Sequence, residues 1–110
     1  MTDEELGTKL RTLAHELIER TRDGSLAWSA LDYSLPDAAV TVAFQATYKN
    51  KTLRLYQYKY REGKEWEEDV GLEVVDERGR AVWEFPRMSE LWRLIEAVKF
   101  KAAGIEELLV

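Results

Sequence analysis

Between Ala38 and Phe85, apolar and polar positions alternate with a period of two through several segments separated by turn residues. Successive side chains of a strand point to opposite faces, so this pattern predicts an antiparallel β-meander. Both flanks change period. From Thr2 to about Arg22, Leu6, Leu10, Leu13 and Leu17 recur at steps of four, three and four, with Ala14 and Ile18 widening the stripe. That is one face of an α-helix. Thr2 and Glu5 form a capping-box pattern, Asp3 and Glu4 suit the positive end of the helix dipole, and Arg20 and Arg22 suit the negative end. Gly24 supplies a left-handed stop, and Gly7 costs up to ~1 kcal/mol relative to alanine. On the other flank Ser89 is the expected N-cap, followed by an apolar stripe of Leu91, Leu94, Ile95, Val98 and Ala102. Gly104 ends it, and the mostly apolar Ile105 to Val110 is expected to dock as a short helical turn.

Within the meander, Ala38 to Tyr48 sets Val40, Val42, Phe44 and Ala46 on one side, and Thr41, Gln45 and Thr47 on the other. Lys49-Asn50-Lys51 is a hairpin connection with asparagine where a positive φ is tolerated. Thr52 to Arg61 then points Leu53 and Leu55 one way and Arg54, Tyr56, Tyr58 and Tyr60 the other. Glu62 to Asp69 reads as a charged turn carrying Trp66, Val70 to Asp76 as the third strand, and Ala81 to Phe85 as the fourth, stopped by Pro86. Leu26 to Leu31 reads as a short edge strand or extended arm anchored by Trp28. No long helical pattern separates the strands, which excludes a parallel sheet.

The fold expected is therefore α+β: an antiparallel meander of four to five strands with an N-terminal and a C-terminal helix covering one face. The expected core is Leu6, Leu10, Leu13, Leu17, Trp28, Val40, Val42, Phe44, Leu53, Leu55, Leu72, Val74, Leu91, Leu94, Ile95 and Val98. Residues 1–110 suffice for one domain with one sizeable core. Without cysteine there is neither a disulfide framework nor a thiolate metal site. That, an acidic N-terminal segment and the lack of any run of ~20 apolar residues point to a cytoplasmic protein with no membrane partner. The helix–meander–helix order loosely resembles small uncharacterised bacterial α+β domains. The resemblance rests on Gly24 and Trp28 after the first helix, the tyrosine-rich strand, the Asp76-Glu77-Arg78-Gly79 turn and Gly104 before the last apolar turn. It implies the fold and no functional residues.

The net charge of -5 opposes indiscriminate nucleic-acid binding, yet it is unevenly spread. Residues 38–64 carry 6 basic side chains and 1 acidic one, while the segments before and after are both acidic. Catalytic chemistry finds no support: His15 is a lone helical histidine, and Ser25, Ser29, Ser34 and Ser89 stand beside turns or caps. Glu65, Glu67, Glu68 and Asp69 lack the ligand spacing of a calcium loop, and Glu73 with Glu84 would at most be a cross-strand carboxylate pair. Neither a metal nor a cofactor is expected, nor an enzyme. The remaining signal is Arg54, Tyr56, Tyr58 and Tyr60 on one strand face, with Trp66, Lys49 and Lys51 at the hairpin ends. Tyrosine, tryptophan and arginine are enriched at interfaces. The function expected is a small protein-binding module that engages another protein, or itself as a homodimer, through this aromatic face. The alternative is weak binding of single-stranded nucleic acid by the basic hairpin 48–64, through stacking and phosphate contact.

Overall fold

A computed structural model describes all residues, Met1–Val110. Helix α1 spans Asp3–Arg22 and begins as its sequence dictates: the Glu5 backbone N–H donates to Thr2 Oγ1 at 3.1 Å, and that hydroxyl in turn donates to the Glu5 carboxylate at 3.2 Å. Gly24, at φ +83°, turns the chain away. The arm that follows is tied back to the helix through a buried hydroxyl. Thr21 Oγ1 donates to the Leu17 carbonyl at 2.7 Å and accepts from Trp28 Nε1 at 3.0 Å. Only Ser29–Ala30 of this arm pairs as a strand, β1.

The sheet is a simple antiparallel meander, β1-β2-β3-β4-β5, with β2 at Ala39–Tyr48, β3 at Lys51–Glu62, β4 at Glu65–Val75 and β5 at Ala81–Glu84. Lys49 and Asn50 both hold positive φ, 49° and 65°, the geometry that two-residue hairpins use to match strand twist. Phe44 faces Leu55 and Ala46 faces Leu53 across β2 and β3, and Leu55 faces Leu72 across β3 and β4. Helix α2 (Glu90–Ala102) lies over β3 and β4 with α1 beside it. Leu17, Ile18, Leu55, Leu72, Leu91, Leu94, Ile95 and Val98 are essentially sealed from solvent between helices and sheet. This is the expected α+β architecture, with two helices on one face.

Several expectations are corrected. Residues 62–69 are not a charged turn: β3 and β4 run on as a hairpin down to Glu62 opposite Glu65, leaving only Gly63-Lys64 as the turn. The tip is solvated on both faces, so it carries no apolar alternation to betray the strands. A bulge at Thr41 sets Val40 opposite Tyr58, away from the helices. Leu6 is 39% exposed and Leu10 only half-buried, because α2, at 13 residues, runs beside only part of the 20-residue α1. Ser89 adopts helical angles and makes no side-chain cap. The last short helix, α3 (Ile105–Leu108), leaves Leu108 and Leu109 in solvent and does not dock as expected.

Candidate functional site

The face of the sheet turned away from the helices is built by alternation along β3. Leu53, Leu55 and Gln57 point to the helices, so Arg54, Tyr56, Tyr58 and Tyr60 point the other way. The three tyrosines stand in a row, with ring centroids 5.4 Å apart between Tyr56 and Tyr58 and 5.8 Å between Tyr58 and Tyr60. A fourth ring extends the row at the other end: Tyr33 meets Tyr56 edge-on at 5.2 Å. Tyr33 belongs to the connection between β1 and β2, which is held down by a Leu31 N–H bond to the Ala43 carbonyl and closed by a bridge between Leu35 and Ala38.

Tyr33 corrects the expected site. Its ring lies over the Arg54 guanidinium at 3.9 Å, and its hydroxyl donates to Glu73 Oε1 at 3.4 Å. Arg54 reaches across to β4, where Nε and Nη2 lie 2.7 and 2.6 Å from the same oxygen, and Nη1 donates to the Gly79 carbonyl at 2.7 Å. Arg54 and Glu73 are 7% and 3% exposed and Tyr56 is 4% exposed, so none of the three is a free contact residue. Tyr56 sinks because Gly71 lies opposite it: an added Cβ at Gly71 would come within 2.4 Å of the tyrosine ring. An interior strand glycine marks such close approach, and that was the signal available for this site in the sequence.

Tyr58 and Tyr60 remain half-buried and reachable. Their strand partners on β4 are Asp69 and Glu67. Arg87, just before α2, caps this end: its Nε lies 3.0 Å from Asp69 Oδ2 and its guanidinium 5.7 Å from the Tyr60 ring centroid. Burial pushes the Tyr33, Tyr56 and Tyr58 phenols above their ordinary range, helped by Glu73 for the first two and by Asp69 for Tyr58. Tyr60 and then Asp69 hold the Arg87 guanidinium above its own ordinary value. Tyr33, Tyr56 and Tyr58 therefore present neutral phenols at physiological pH.

The other expected site residues do not join it. Lys49 sits at the β2–β3 turn, on the helix side, 3.9 Å from Glu16 of α1. Lys51, at the start of β3, shares the parity of Leu53 and so does not face the tyrosines. Trp66 pairs with Arg61, whose guanidinium lies 5.6 Å from its ring, and stays 60% exposed at the hairpin tip. By the same alternation Lys59 lies opposite Glu68, away from the tyrosines. Aromatic and basic groups that are neighbours in sequence are thus on different surfaces. Glu73 and Glu84 do stand opposite each other on β4 and β5, and the Tyr56 hydroxyl lies 3.5 Å from Glu84 Oε1. No three His, Cys, Asp or Glu side chains are grouped to hold a metal ion, and no helix is long and apolar enough to cross a membrane. The chain matches no protein-family model, no curated protein and no solved structure.

Proposed function

We propose that the chain is a small non-catalytic module that binds another protein through the open sheet face, with Tyr58 and Tyr60 as its contact residues. The observation that carries this reading is the fixed row of four tyrosine rings on a face no helix covers, with Tyr58 and Tyr60 at one end of it accessible. Rings already held by their neighbours lose little freedom on binding, and tyrosine supplies large contact area with a wet hydroxyl. Self-association through the same face has less support, because pairing two copies face to face sets their carboxylates against each other. The absence of cysteine supports a cytoplasmic setting.

The test is a photo-crosslinking amino acid placed at position 58 or 60 in cells, with Arg93 on α2 as the control position. Polypeptide adducts at 58 and 60 that are absent at 93 are expected. Adducts equal at all three positions would sink the reading, and adducts to RNA or DNA would favour the nucleic-acid alternative. Sedimentation of the purified chain over a range of concentrations checks the homodimer version, for which a monomer throughout is the expected result.

A further inference from the structure

We propose that the partner of the open face presents a basic, arginine-bearing segment, a proposal that rests on the protein-binding reading above. The open face is acidic although the hairpin that builds it is basic in sequence. On β3, β4 and β5 alternation and pairing bring Glu62, Glu65, Glu67, Asp69, Glu73 and Glu84 to the tyrosine side, where Arg54 is the strands' one cation and Arg87 reaches in from the segment before α2. Lys51, Lys59 and Arg61 alternate to the opposite side. A polyanion is repelled by this surface and a cationic segment is attracted to it.

The two arginines already present show what the surface does with a guanidinium. Arg54 lies against the Tyr33 ring and bonds a carboxylate of the neighbouring strand. Arg87 repeats the arrangement with the Tyr60 ring and Asp69. Each site is a phenol ring beside a carboxylate, which matches a flat cation that stacks and forks in one geometry, and matches a lysine ammonium less well. A third such site has no cation of its own. Tyr33, Leu35, Tyr56, Trp83, Glu73 and Glu84 line a cleft of about 390 Å³, and Glu84 takes part in no salt bridge. From there Tyr58 and Tyr60 lead to Glu67, also without an ion pair, six residues along β4 from Glu73. An extended segment of about six or seven residues, at roughly 3.3 Å each, spans that distance with arginines at its ends.

The probe is a fluorescein-labelled peptide of alternating arginine and alanine, followed by anisotropy at ~0.15 M ionic strength, where the Debye length is ~8 Å, with lysine and glutamate versions beside it. The arginine peptide is expected to bind, the lysine peptide more weakly and the glutamate peptide not at all. Glu67→Gln with Glu84→Gln should weaken binding about tenfold, the effect of losing ~1.4 kcal/mol. Glu19→Gln with Glu96→Gln removes the same charge from the helices and should change it less than about twofold, being roughly a Debye length or more away. Unfolding midpoints of both double variants confirm that each folds. Equal loss in the two would reduce the effect to net charge and overturn the proposal, as would failure of the arginine peptide to bind. A crosslinked partner contacting position 60 through a segment without basic residues would overturn it too, leaving the interface reading intact.

Discussion

Gly71 is the residue on which the tyrosine face turns. Its missing side chain lets the Tyr56 ring lie flat across β4, and through that ring Tyr33 and Tyr58 are positioned. Gly71→Ala should cost about 1–3 kcal/mol by overpacking. In a Tyr56→Leu background the same change should cost much less, a coupling that a double-mutant cycle in urea reads directly. Equal costs in both backgrounds would show that the ring is not the obstacle. Arg54 and Glu73 form the other pivot. Arg54→Met or Glu73→Met alone leaves one buried charge unpaired and should cost about 3–5 kcal/mol, whereas both changes together should come close to neutral. Denaturant midpoints of the three variants decide it.

At the scale of elements, the meander holds because α2 seals one face and α1 seals α2. Leu17 and Leu94 are fully buried, while Leu6, on the same helical stripe as Leu17, is 39% exposed. Leu17→Ala and Leu94→Ala should each cost about 2–5 kcal/mol, the range for a leucine removed from a packed core. Leu6→Ala should fall within about 0.5 kcal/mol of wild type, as surface changes do. A large effect at Leu6 would mean that α1 is covered along its whole length. The outermost strand, β5, is short, bulged beside Val75 and followed by Pro86, all devices that discourage pairing with another edge.

The whole molecule carries its charge sorted by surface, and its tyrosines tie stability to pH. The phenols of Tyr33, Tyr56 and Tyr58 have native pKa values raised chiefly by burial, so folding favours their neutral forms. Their contribution is fully present below the unfolded value of about 10 and is lost as the pH rises through the native values. Stability should therefore fall as the pH climbs above roughly 10, as ionisation of Tyr33, Tyr56 and Tyr58 is drawn out with unfolding. Tyr56→Phe, which cannot ionise, should flatten part of that decline. An unchanged alkaline profile in Tyr56→Phe would remove Tyr56 from the account.

Periodicity determined the helices, the order of the strands and most of the core, and turn chemistry placed the hairpin connection at Lys49-Asn50-Lys51, of which the structure gives Lys51 to β3, because each of these is a local contest between spacing and solvent. Leu53 and Leu55 had to face one way once the strand formed, and Tyr56, Tyr58 and Tyr60 the other. The partners of that second face were not legible, because contacts across a sheet depend on register. Only the pairing of Tyr56 with Gly71, Arg54 with Glu73 and Tyr60 with Glu67 shows that the tyrosine strand is buried at one end and acidic along its length. Lys59 and Arg61 are sequence neighbours of Tyr60, yet a single residue step places them on the opposite surface. The Tyr33 connection was equally hidden, since nothing in Asp32-Tyr33-Ser34 says which of two sheet faces a crossing loop will cover. Segment charge was thus a poor guide to surface charge. In a strand, the period of two divides neighbours between faces, and the tertiary fold decides what each face meets.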